Sequence, residues 1–423
     1  MRVESMRLPK YACEVATGGT AWFAGVSAVI WYPLAHLYAY HSALGHLPPF
    51  LDRAFGAYAV LGVLVLGLAH AFTSRRRMPA QSSRMVVGFA LFVAVTASWS
   101  LVHFMFGEGV RGSRDLLLYN GRILLNYCFL FLVGFYLRPE RWRALFFVGF
   151  VALATNAVVY TRWDRMMVDL RGVIDARYAG IYLSLSATAL FASLFTWAAV
   201  RRPAMRAAVL IGTLPVLFLM GGRADLAAFV LVFPVALWLT LSGSGRAVVY
   251  ISLAALAGIV VSLGIEALHM SRHAQFLSLG EMTSLIARTD LLEAGMERIA
   301  MSPLFGDYGG TLIVYGSIGS YIHNMLSVWQ SFGLLPFVIY AWLLGCSALA
   351  SIGLLLHRGR RMSREAQLAV VLCLVAVIQV LVAKSFGWAE VALAWGAMAG
   401  VMSRRLPPSL SPVPSTVDRL RLA

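Results

Sequence analysis

Charge is scarce in this sequence: only 13% of its residues are charged against 60% hydrophobic. No soluble stretch is large enough to present a basic face, so the formal charge of +16 does not point to nucleic acid. Cysteine is rare as well. Cys128, Cys346 and Cys373 sit inside apolar runs and Cys13 precedes the first one, and no CxxC or Cys/His spacing suggests a metal site or a disulfide framework. Asp164, Asp169 and Asp175 are not spaced as metal ligands either, so neither a metal nor another cofactor is expected. A P-loop, a dinucleotide fingerprint and a Ser/His/Asp arrangement are all missing from any credible context. Internal repeats, and the Gly/Pro-broken helix pairs of many inverted-repeat transporters, are not apparent. The N-terminal residues lack the short apolar core and small-residue cleavage site of a signal peptide, and the first helix is expected to be retained.

What the chain has in abundance is apolar runs near the roughly 20 residues that cross a bilayer. The fold class expected is all-α, a polytopic integral membrane protein with about 12 transmembrane helices. Segments are placed near 19–39, 55–73, 86–106, 119–137, 143–160, 179–199, 205–221, 225–241, 247–265, 333–356, 366–383 and 388–402. Connectors rich in arginine alternate along the chain: Arg75, Arg76, Arg77 and Arg84; Arg138, Arg141 and Arg143; Arg201, Arg202 and Arg206; Arg358, Arg360, Arg361 and Arg364. The positive-inside rule makes these cytoplasmic, together with both termini. The chain then divides into a cytoplasmic tail (1–18), nine membrane helices (19–265), an outward loop (266–322), an interfacial helix with the last three membrane helices (323–404) and a Pro/Ser-rich cytoplasmic tail (405–423).

The outward loop sets three arginines, Arg272, Arg288 and Arg298, against six acids, for a net charge of −3. Excess positive charge is absent there, as an outer location requires. Within it Leu285, Thr289, Leu292, Met296 and Ile299 recur at spacings of four and three, the stripe of an amphipathic helix that Pro303 and Gly306 end. Arg288 borders the stripe, with Glu293 as a candidate ion-pair partner. Arg223 opens a helix after Gly221-Gly222, where Asp225 could pair with it. His323 precedes an apolar stretch from 323 to 356, too long for one perpendicular crossing, so the chain is expected to run along the interface and turn inward near Gly333. On that first piece His323, Ser327 and Gln330 form a polar stripe. A histidine there serves equally as an anchor for the loop or as a proton acceptor near neutral pH. Arg171 and Arg177 stand on a smaller outward connector at 161–178.

Together these pieces resemble the O-antigen ligase and Wzy-type polymerase superfamily of bacterial surface-polysaccharide enzymes. The resemblance is carried by Arg223 in GGRADLAAF, by Arg288 followed by PLFG at 303–306, by His323-Asn324 followed by LSVWQSFGLLPF, and by RYAGIYLSLSATALF at 177–191. It covers about residues 165–345, and the chain departs from the family's PLFGxG by reading GDYGG from 306 to 310. The resemblance implies a bacterial inner-membrane glycosyltransferase that acts on an undecaprenyl-diphosphate-linked glycan at the periplasmic face without a metal. Arg223 and Arg288 would hold the diphosphate and His323 would act as base, with Asp175 and Asp307 next in line. Arg177, Arg171 and Asn324 would contact the glycan. A polymerase is expected, with a chain-length regulator as a partner besides the bilayer. The alternatives are a ligase that transfers the glycan to lipid A core, a flippase of the same lipid, and a structural scaffold of an export complex.

Overall fold

The computed structural model describes residues 10–73, 80–170, 180–241, 250, 283–310, 312 and 322–404. It is helical nearly throughout. The first helix, α1 (Lys10–Val29), starts earlier than the apolar run alone suggests and passes through a wide turn at Ile30–Ala35 into α2 (His36–Ala43). Pro33 lies inside that turn and cannot donate to the helical ladder, which accounts for the break. Then come α3 (Leu51–Thr73), α4 (Ala80–Phe106), α5 (Arg114–Tyr136), α6 (Arg143–Val159), α7 (Ile181–Ala199), α8 (Pro203–Met220) and α9 (Arg223–Thr240). A two-stranded antiparallel ribbon, β1 (Thr161–Arg162) with β2 (Met167–Val168), lies between α6 and α7. The remaining helices are α10 (Thr283–Met301), α11 (Leu326–Phe332), α12 (Leu334–Arg358), α13 (Arg364–Val382) and α14 (Glu390–Ser403).

Among the described residues, nine helices are long and apolar enough to cross a membrane, and the chain is a helical multi-pass membrane protein. Three of the twelve expected segments are not among the nine. The first is broken at Pro33, the last is the shorter α14, and the one at 247–265 lies outside the described residues. Peripheral helices expose apolar side chains, such as Leu61, Leu64 and Leu68 on α3 and Leu349 and Leu356 on α12. By contrast α7 is buried almost all round, and Thr196 Oγ1 shares its proton between the carbonyls of Ala192, one turn back, and of Phe146 on α6. A helix apolar on every side belongs at the centre of such a bundle.

Helices α5 and α14 cross with their backbones in contact. A Cβ added to Gly396 would lie 1.9 Å from the Phe131 carbonyl oxygen, and one on Gly400 2.3 Å from that of Phe135. Glycines four apart let two backbones touch, which matters in a bilayer because lipid tails remove the hydrophobic drive between helices. Only glycine fits at these two positions.

One end of the bundle carries an arginine network. Arg138 and Arg404 flank Glu365 at 4.0 and 3.5 Å, Arg364 pairs with Glu140 at 2.8 Å, and buried Arg206 donates to Gln367 at 2.6 Å. The turns at Gly107–Ser113, Gly221-Gly222 and Ala383–Ala389 stand at the opposite end. Single cysteines in a cysteine-free background should test the orientation. A Glu108→Cys protein in intact cells is expected to react with an impermeant thiol reagent, and Ser363→Cys is expected to stay unlabelled. Equal labelling would overturn the positive-inside assignment.

Candidate active site

The GGR turn builds the first part of the site. Gly221 closes α8 with φ +79°, a conformation that side chains disfavour. A Cβ on Gly222 would fall 2.0 Å from Ser186 Oγ and 2.8 Å from Asp225 Oδ2, so the turn sits tightly against α7. Arg223 is thereby the first residue of α9, and Asp225 lies in its first turn, where an acid complements the free N–H groups of the helix start. Asp225 is fully buried. Its Oδ1 accepts from Gln379 Nε2 at 2.8 Å and pairs with Lys384 Nζ at 3.4 Å. Among the described residues its Oδ2 has no hydrogen-bond partner, and neither has Ser186 Oγ. Lys384 leads out of α13, whose end is held by Ala383 N and Lys384 N, both donating to the Gln379 carbonyl at 2.8 Å. The ammonium lies 5.8 Å from the Trp388 ring centroid, and Glu390, which opens α14, is within electrostatic reach of both Lys384 and Asp225.

A second part joins two separate sequence motifs. Trp329 Nε1 donates to the Pro303 carbonyl at 2.7 Å, Asp307 N to that of Gln330 at 2.7 Å, and Leu334 N to that of Leu304 at 3.2 Å. The PLFG turn therefore docks on the break between α11 and α12, where Gly333 has φ +83° as the expected inward turn requires. The divergent residues that follow bind to the neighbouring helices. Asp307 accepts from Arg298 and, at 3.1 Å, from Arg111, while Tyr308 stacks on His103 with centroids 4.6 Å apart and accepts from Asn120 at 3.0 Å. Asp307 is thus an anchor held by two arginines, which argues against its use as a base.

The polar stripe behind His323 is turned into the protein. Ser327 Oγ accepts from Phe386 N at 2.7 Å and donates to the Asn324 carbonyl at 2.8 Å; Gln330 Oε1 accepts from Ile322 N at 3.1 Å. Asn324 Oδ1 accepts from Leu326 N at 2.9 Å, an Asx turn that leads the chain into α11. With Met325 N bonded to the Val380 carbonyl at 2.9 Å, these bonds seat His323 beside the α13–α14 turn. Burial, and then the charges of Arg288 and Lys384, hold its imidazole below the ordinary pKa, so it is neutral at pH 7.

Arg288 is exposed on α10, and no carboxylate among the described residues pairs with it, Glu293 included. The packing face of α10 also differs from the expected stripe. Gly295 and Ile299 are buried, whereas Leu292 and Met296 remain 37% and 45% exposed. The reason is a tertiary contact: Gly295 lets the helix approach Ile322 so closely that a Cβ would fall 2.2 Å from it, and this contact accounts for the rotation of α10.

Of the residues singled out from the sequence, His323 and Arg288 share one electrostatic environment, and Arg223 enters from the α9 turn that Asp225 ties to Lys384. Asn324 makes the Asx turn before α11. Arg171 and Arg177 lie outside the described residues, as does Asp175. The sequence reading missed Lys384, Gln379 and Glu390. A signal was present: the chain has two lysines, Lys10 and Lys384, and the second stands between two apolar runs. Among the described residues no group of three or more metal-ligating side chains occurs. No protein-family model matches the chain, and no curated protein matches it.

Proposed function

We propose that the chain is a bacterial inner-membrane glycosyltransferase that polymerises undecaprenyl-diphosphate-linked oligosaccharide units of a surface polysaccharide. The observation that supports it best is a histidine whose pKa is lowered by burial and then by Arg288 and Lys384, where that arginine has no carboxylate partner among the described residues and that lysine is held by a buried aspartate. In the reaction, the acceptor hydroxyl passes its proton to His323 as its oxygen attacks the anomeric carbon of the donor. The bond from that carbon to the diphosphate oxygen breaks, and its electron pair leaves with the diphosphate. Charge therefore grows on the phosphate oxygens, where fixed cations stabilise the transition state more than the ground state. Arg288 and Arg223 supply planar forks suited to phosphate, and Lys384 supplies a point charge. Burial, and then Arg288 and Lys384, lower the pKa of His323, so two of these cations serve both the leaving group and the base.

The fork is testable. Arg288→Lys keeps the charge but loses bidentate geometry, and a charge-assisted hydrogen bond is worth about 1.5–3 kcal/mol, so turnover should fall about tenfold to a hundredfold. Expression should stay normal because Arg288 holds no ion pair among the described residues. Reversal of exposed Glu293 should change little. Near-full turnover in the lysine variant would remove Arg288 from the diphosphate.

A further inference from the structure

At the arginine-rich end of the bundle, four guanidinium groups have protein partners among the described residues. Arg138, Arg364 and Arg404 face Glu140 or Glu365, and Arg206 bonds to Gln367 and to the Trp197 carbonyl. Arg84, Arg141, Arg358 and Arg361 make no such contact among the described residues and stand apart from one another or on another groove, but three more stand together. Arg143, at the start of α6, and Arg201 and Arg202, between α7 and α8, are exposed and make no side-chain hydrogen bond or ion pair among the described residues. All three line one groove of about 410 Å³.

The rest of that groove is apolar. Phe147 stands one turn into α6 from Arg143, Met205 lies in the first turn of α8 after Arg202, and Val200 sits between the two helices. Cations therefore gather at the helix ends, and apolar wall continues from them along the membrane-crossing bodies. A free phosphate or a nucleotide would use the arginines and leave Phe147 and Met205 idle. An acyl chain would use the wall and leave three arginines without counterions. A molecule with a negatively charged headgroup and acyl chains uses both, and it is present wherever these helix ends meet the bilayer.

We propose that the α6–α8 groove is a binding site for an anionic phospholipid, with the phosphate on Arg143, Arg201 and Arg202 and an acyl chain along Phe147 and Met205. It lies at the end of the bundle opposite His323 and does not depend on the enzymatic assignment. Three cations without acids among them favour a headgroup of net negative charge over a zwitterionic one, whose ammonium would meet the same arginines.

Native mass spectrometry of the full chain, released from nanodiscs that contain phosphatidylglycerol and phosphatidylcholine, tests this. The wild type is expected to retain phosphatidylglycerol preferentially. A basic residue at an anionic surface contributes about fivefold in affinity, so the variant with Arg143→Gln, Arg201→Gln and Arg202→Gln should lose about a hundredfold. Phe147→Ala should weaken retention of the intact lipid but leave competition by glycerol phosphate unchanged. A control with Arg358→Gln and Arg361→Gln, on a different groove of the same end, should keep the preference. Equal retention by wild type and the triple variant would overturn the site. Equal loss in the control would reduce the effect to general surface attraction, and displacement by inorganic phosphate at matched concentration would reduce it to an anion site; either result contradicts the proposal. A melting temperature matching the wild type will confirm that the exposed substitutions leave the fold intact.

Discussion

His323→Ala is expected to lose glycan transfer by about 10² to 10⁴-fold while still binding the lipid diphosphate, because general-base assistance is worth that much and the cations that hold the phosphates remain. Binding and turnover should separate in one variant. The pH dependence follows from the direction of the shift. In the proposed reaction the deprotonated imidazole is the active form, and burial with Arg288 and Lys384 lowers its pKa, so activity should hold through neutral pH and decline at a lower pH than an ordinary histidine would give. Arg288→Gln removes one of those charges and should move the acid limb upward, in addition to its loss in rate. If His323 is only an anchor for the loop, His323→Gln restores most activity and the acid limb survives the substitution. The base would then be sought at Asp225, whose Oδ2 has no hydrogen-bond partner among the described residues.

Lys384→Ala is expected to destabilise the protein by about 3–5 kcal/mol, since removal of one partner from a buried pair leaves the other charge uncompensated. Asp225 is fully buried, and Gln379 alone offers it a neutral donor. The double variant with Asp225→Asn and Lys384→Met should regain most of that stability, because both charges are then gone. It should not regain transfer if Lys384 faces the diphosphate. Thermal unfolding in detergent and transfer measured on the same samples separate the two roles. An unchanged unfolding midpoint in Lys384→Ala would contradict a structural pair, and full transfer in the double variant would remove Lys384 from the chemistry.

Much of the fold was legible because its cause is local. Apolar runs of membrane length and alternating arginine connectors are properties of short stretches, and most expected segments match helices within a few residues. The break at Gly333 was legible too, from a run too long for one crossing. The rotation of α10 was not. It depends on Gly295 meeting Ile322, a contact between residues far apart in sequence, and periodicity alone favoured Leu292 and Met296. The roles of the site residues divide along the same line. Arg223, Arg288 and His323 stand out as charges next to apolar runs, whereas the pairing of Asp225 with Lys384 spans α9 and the end of α13 and leaves no pattern in either stretch. The stripe of Ser327 and Gln330 was visible as polarity, but its direction was not. Only the packing of α11 on the α13–α14 turn shows that it holds the site together from within.

The central claim is that a glycosidic bond forms, and the most direct measurement is the product. Purified protein in vesicles, supplied with undecaprenyl-diphosphate-linked repeat units, should yield a ladder of longer lipid-linked glycans. Free undecaprenyl diphosphate should appear in step with each bond formed, without added metal, and His323→Ala should give neither product. Recovery of the lipid-linked unit unchanged, whether left in place or moved across the vesicle membrane, would contradict the account.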